Sequence, residues 1–150
     1  MRVIEFGPSE LRQLFYLREA LEGMAARLAA EFAPDNFVEE LEALLMRDSS
    51  EIAQSGQSVY RQRSPDEDFH SAIAGASNCE NIQRILLNEV YYQLRIHRLR
   101  SSQKPGRADQ ALKEHFEIIE QLKARNPEAA EEAMRAHIRA ARESSLSVMT

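Results

Sequence analysis

Apolar residues recur every three or four positions through six successive segments of this 150-residue chain, and no stretch alternates apolar with polar residues over the length of a strand. A period near 3.6 places those residues on one face of a helix, whereas a half-buried strand needs a period of two. The chain is therefore expected to be all-α. Its five glycines and five prolines mark breaks between the periodic segments, which predicts long helices joined by short connections. The natural packing of such a set is an antiparallel helical bundle of six to seven helices.

Residues 1–8 read as an extended lead-in ending at Pro8, with Ser9 as N-cap of a helix over Glu10–Phe32. That helix carries the stripe Leu11, Leu14, Leu21, Ala25, Leu28 and Phe32, interrupted by Arg18. A second helix starts near Pro34-Asp35 and reaches about Gln54, with Phe37 or Val38, Leu41, Leu44, Leu45 and Ile52 inward and Gly56 after it. The third has the clearest start. Ser64 is placed to cap it, Pro65 to open it, and Glu67 to complete a capping box. Its inner face is Asp66, Phe69, His70, Ile73 and Ala76. A fourth helix is expected over Glu80–Arg100, with Ile82, Ile85, Leu86, Val90, Leu94 and His97 on one face. After a loop at Ser101–Arg107, a fifth runs over Asp109–Arg125 with Leu112, His115, Phe116, Ile119 and Leu122 inward. Asn126 caps and Pro127 opens the sixth, with Ala130, Ala133, Met134, His137, Ile138 and Ala141 inward. Met24, Met46 and Met134 read as core filler.

One domain of this length can bury a real core. With 19 basic against 24 acidic residues the net charge is −5, which does not suit nucleic-acid binding through the whole surface. Cys79 is the only cysteine, so no intrachain disulfide forms, in keeping with a cytoplasmic setting. No apolar run is long enough to span a bilayer, and Met1–Pro8 carries no signal-peptide pattern, so no membrane partner is expected.

Four residues on these inner faces carry chemistry. Asp66 and His70 lie one helical turn apart and point the same way. His115 and His137 each stand eleven residues from Asn126. An antiparallel fold-back at Asn126-Pro127 brings them level. Three imidazoles and one carboxylate then converge on a central cavity as ligands of a divalent metal. That donor set suits zinc first, with nickel, manganese or iron(II) as alternatives, over calcium or magnesium. The competing reading makes each histidine a hydrogen-bonded core residue and Asp66 a first-turn acid favoured by the helix dipole. His97 has no partner in sequence and reads as core or pocket lining. Arg18 has two readings: an ion pair with Glu22, with its stem packed on neighbours, or a clamp for a ligand carboxylate. Arg95, Arg98 and Arg100 form a basic helix end. A metal with open positions and an interior cation describe a site for a small carboxylate metabolite.

The residues also resemble a known module. Leu17-Arg-Glu-Ala-Leu-Glu22 with Ala25-Ala-Arg-Leu-Ala-Ala30, Asp66-Glu-Asp-Phe-His70 with Ala74-Gly-Ala-Ser-Asn78, and Glu114-His115 through Ile119 with Asn126-Pro-Glu-Ala-Ala130 and Met134-Arg-Ala-His137 resemble, in order, the effector (FCD) domain of GntR-family transcription regulators of the FadR subfamily. The resemblance covers about residues 10 to 145. It implies an effector-sensing helical bundle, not an enzyme, with metal ligands at Asp66, His70, His115 and His137. It also implies an effector contact at Arg18. Asn78 matches the asparagine after the third helix, a cap or a ligand contact. The family's winged helix-turn-helix, which binds DNA, has no counterpart here. Residues 1–8 read as its linker remnant and 9–150 as the ligand-binding domain of a homodimer. Two other classes compete: a metalloenzyme using the same four ligands to activate water or oxygen, and a metal-free helical ligand-binding or interaction module.

Overall fold

The computed structural model describes residues 7–55, 65–100 and 104–149, with the side chains of 48, 51–55, 65–67 and 98–100 outside the description. The expected roles of Ser64, Gly56 and Ile52, and most of the lead-in, therefore lie outside the described residues. Every element among the described residues is helical: α1 Pro8–Phe32, α2 Phe37–Ser55, α3 Pro65–Ala76, α4 Glu80–Ile85, a π-helical turn Leu86–Val90, α5 Tyr91–Arg100, α6 Arg107–Lys123 and α7 Pro127–Ser147. α4, the π turn and α5 run on as one rod, so six rods pack as the expected bundle. α1 lies along α7 and against α3, while α6 packs on α7 and α2.

The helix ends show why the chain breaks where it does. Gly7, not Ser9, caps α1: Pro8 takes the first helical position, and the Glu10 carboxylate reaches back to accept the Gly7 N–H at 3.0 Å. α1 stops at Phe32 because Pro34 follows, and Ala33 before it is extended, with ψ 146°. Asn78, exposed and left-handed at φ 59°, stands just past the end of α3. Arg125 is left-handed too, at φ 53°. There Asn126 N–H bonds back to Gln121 O at 3.2 Å and Arg125 N–H to Leu122 O at 3.1 Å, which satisfies the last carbonyls of α6. The Asn126 side chain then accepts the Ala129 N–H at 3.1 Å and starts α7.

Leu11, Leu14, Ala25, Phe37, Leu41, Leu45, Phe69, Ile73, Leu86, Val90, Leu94, Ile118, Ile119, Met134 and Ile138 form the buried core. Four inward assignments fail. Phe32, Met24 and Met46 are exposed at 60%, 38% and 64%, and Phe116 at 39%. In α6 the inward place belongs to His115 and to Ile118 and Ile119, so Phe116, one residue and about 100° on, turns outward. At Gly23, where α1 faces α7, a Cβ would lie 2.8 Å from Arg135 Cγ. Arg135 crosses that gap, 2.9 Å from Glu131 and 3.6 Å from Glu19.

The α6–α7 turn should depend on its cap. Asn126→Ala is expected to lower unfolding free energy by about 1 kcal/mol, with Asn126→Asp close to wild type, in urea titrations of the full chain.

Candidate metal centre

Three of the four expected ligands meet. His70 on α3, His115 on α6 and His137 on α7 are buried at 2%, 1% and 3% exposure. One ring nitrogen from each lies within 4.8 Å of the other two. His137 Nε2 is the middle one, 3.2 Å from His70 Nε2 and 3.2 Å from His115 Nε2. Asp66 lies one turn before His70 in α3, and its side chain falls outside the described residues. The level approach of His115 and His137 follows from their equal distance from the Asn126 turn.

Carboxylates fix the outer sides of two rings. His137 Nδ1 is 2.7 Å from Glu114 Oε1, and His70 Nδ1 is 2.6 Å from Glu22 Oε1. An ionised carboxylate only accepts, so each ring presents its Nδ1 proton outward and its Nε2 lone pair inward. Neutral rings in that state aim two lone pairs at each other across 3.2 Å, a repulsion that either a shared proton or a metal ion between them relieves. The two spacings to His137 fit a metal: zinc–nitrogen bonds of about 2.0–2.1 Å in tetrahedral geometry put two ligand nitrogens about 3.3 Å apart, while His70 and His115 lie within 4.8 Å of each other. The His115 ring is held by stacking on Phe69, with centroids 4.2 Å apart and planes at 19°.

Glu22 is the hub of the buried side. Its Oε2 accepts from Arg18 Nε at 2.7 Å, and its Oε1 accepts from the Tyr91 hydroxyl at 2.8 Å as well as facing His70. Burial alone would raise the Glu22 pKa. Arg18, His70 and Tyr91 together outweigh it and hold the carboxyl well below the ordinary range. Arg18 is 3% exposed, with its guanidinium 5.3 Å from the Phe15 ring centroid, so the ion pair with Glu22 is the reading realised here. On the other side Arg107 grips Glu114 through two contacts, 3.0 and 2.7 Å. Burial opposes ionisation there too, but His137 and Arg107 lower the Glu114 pKa to about 2. Arg107 also lines a cleft of about 310 Å³ with Lys104, Gln110 and Ser144.

His97 is buried on α5 but is not among the three converging imidazoles. Asn78 is exposed at the end of α3, where it ends the helix. The sequence showed Glu22 only as a partner for Arg18, one turn away. Glu114, Tyr91 and Arg107 gave no usable signal. Glu114 neighbours His115 in sequence but reaches a ring 23 residues on, a contact made only by the fold-back.

The sequence matches the model of one protein family, described as the FCD domain, over residues 13–140. Among solved structures, a GntR protein of Streptococcus agalactiae is 28% identical, with a TM-score of 0.71, covering 89% of this chain and 58% of that one. McbR/YncC of E. coli is 21% identical, with a TM-score of 0.78, covering 93% of this chain and 65% of that one, and speaks for the fold alone. The chain thus spans less than two thirds of either structure. Comparison with curated proteins gives no match.

Both carboxylates bind protons less readily folded than unfolded. Their stabilisation is present above the unfolded glutamate pKa of about 4.3 and is lost as pH falls below it. For Glu114 the loss runs down to about 2. The metal-free chain should therefore show a urea midpoint that drops between about pH 4.5 and 2.5. Glu22→Gln should start lower at neutral pH and drop less. A wild-type midpoint that stays flat over that interval contradicts the electrostatic account.

Proposed function

The chain belongs to the FCD domain family, an effector-binding regulatory module, and on that basis we propose that it senses a small organic acid through a divalent metal held by His70, His115 and His137, with Asp66 as fourth ligand. The observation that carries this is the convergence of three Nε2 atoms whose outer nitrogens, in two of the three rings, face carboxylates. Zinc is the first candidate, with nickel, manganese and iron(II) next. An ion there would hold an anionic ligand atom directly.

Charge favours an anion. Arg18 is balanced by Glu22 and Arg107 by Glu114. With neutral imidazoles, a divalent ion leaves the centre net positive even with Asp66 ionised. A carboxylate offsets that charge, and Arg18, buried on the α1 stripe beside Glu22, is the cation we assign to its second oxygen. His97 is assigned to the pocket wall. We assign the domain a sensory role without catalysis, in a cytoplasmic homodimer. Operator contact belongs to a separate winged-helix domain. No described helix is long and apolar enough to cross a membrane.

His70→Ala and His137→Ala should each weaken zinc binding by more than the roughly ten- to hundredfold typical of an outer-shell partner, and His97→Ala by far less. Affinity should fall as pH drops through about 6.5, because the ligands must be neutral. Equal zinc content in wild type and His137→Ala rules the site out. In a thermal-shift screen of small mono-, di- and tricarboxylates, hits should stabilise the zinc-loaded chain by about 2 to 3 kcal/mol at a hundredfold excess over Kd. Those hits should vanish on chelation. Hits that persist without metal and in Arg18→Ala overturn the recognition mode.

A further inference from the structure

Tyr91 stands where a regular helix would not put it. A plain α-helix turns about 100° per residue, so five steps from the buried Leu86 would carry residue 91 about 140° round, away from the core. Yet Tyr91 is 3% exposed. The cause is the π turn Leu86–Val90, closed by the Tyr91 N–H bonding to Leu86 O five residues back. The wider turn returns Tyr91 to the side that Leu86 already occupies, and leaves Leu87 and Tyr92 outside at 41% and 56% exposure. Single π turns inside α-helices are frequent at functional sites. Here the turn delivers one hydroxyl to Glu22 Oε1 at 2.8 Å. That oxygen is also the one 2.6 Å from His70 Nδ1.

We propose that Tyr91 is a positioning residue for the metal centre, delivered by the π turn: its hydroxyl fixes the Glu22 carboxylate, which in turn fixes the His70 ring with Nε2 facing the other imidazoles. This rests on the metal reading above. Arg18 Nε meets the other oxygen, Oε2, at 2.7 Å. Without the Tyr91 hydroxyl, Oε1 keeps His70 as its neighbour but loses the donor that sets its direction, and the ring loses its orientation. The coupling works both ways. A metal that immobilises His70 immobilises Glu22 and Tyr91, and so protects the π turn from opening.

Cobalt(II) is the probe, because its visible absorption reports ligand geometry. The full chain is compared as wild type, Tyr91→Phe and Tyr92→Phe, the last removing a hydroxyl from the exposed neighbour. Tyr91→Phe is expected to keep the helical circular-dichroism spectrum, to bind cobalt about tenfold more weakly and to show shifted visible bands. Tyr92→Phe should match wild type. Hydrogen exchange gives a second readout that needs no variant. In wild type, amides 86–91 should gain protection when cobalt is added, and in Tyr91→Phe that gain should shrink. Cobalt affinity and bands unchanged in Tyr91→Phe overturn the role of Tyr91 while leaving the metal reading intact. So does wild-type exchange at 86–91 that ignores cobalt. A wild-type chain that takes up no cobalt overturns the metal reading, and this role falls with it.

Discussion

A carboxylate with 1% exposure is the constraint around which the bundle is arranged. Glu22 is charged in a place where an unpaired charge costs several kcal/mol. It is tolerated because three elements bring donors to it: Arg18 from its own helix, His70 from α3 and Tyr91 from the start of α5. None of these can be withdrawn without leaving the charge under-solvated. The same contacts therefore fix the register of α1 against α3 and the π-widened rod. Apolar packing supplies most of the driving force for collapse and already resists a slide of α1. The directional Glu22 contacts add to that resistance.

The two carboxylates behind the imidazoles are unequal. Glu22 is sealed in the interior, while Glu114 is 18% exposed and gripped by an arginine that borders an open cleft. One side of the centre is set by buried contacts with almost no freedom. The other is set by a part-buried ion pair at the edge of a cleft, nearer to water and salt. His137, the ring nearest both of the others, hangs from the softer side.

Much of this was legible in the sequence, for physical reasons. Helical periodicity and the Asn126-Pro127 signal are local, and they were enough to give the helices, the fold-back and the meeting of His115 with His137. Asp66 and His70 share a face by spacing alone. Glu22 was visible because an arginine on an apolar stripe needs an acid one turn away. Tyr91 was not visible, because at 100° per residue it belongs to the wrong face, and nothing in Leu86–Val90 announces a wider turn. Phe116 misled because hydrophobicity alone does not say which of two adjacent residues faces in when a histidine takes the buried place. Ser9 misled because Gly7 with Pro8 and Glu10 makes a competing start, with a backbone donor where a side-chain cap was sought.

α1 is one unbroken rod of 25 residues, about 37 Å long at 1.5 Å per residue. Glu22 rides on it with no proline or left-handed residue between that position and Pro8. A loop absorbs a push at one end, but a rod passes it on. Any axial displacement of the first turn of α1 arrives at Glu22 nearly undiminished, and a slip of one residue would move its carboxylate about 1.5 Å, roughly half a hydrogen-bond length. What opposes the slip is the seat of α1 on α7, where Arg135 lies across Gly23 and Arg27 reaches Glu131 at 2.6 Å. The histidine centre is thus wired to the front of the chain by stiffness alone.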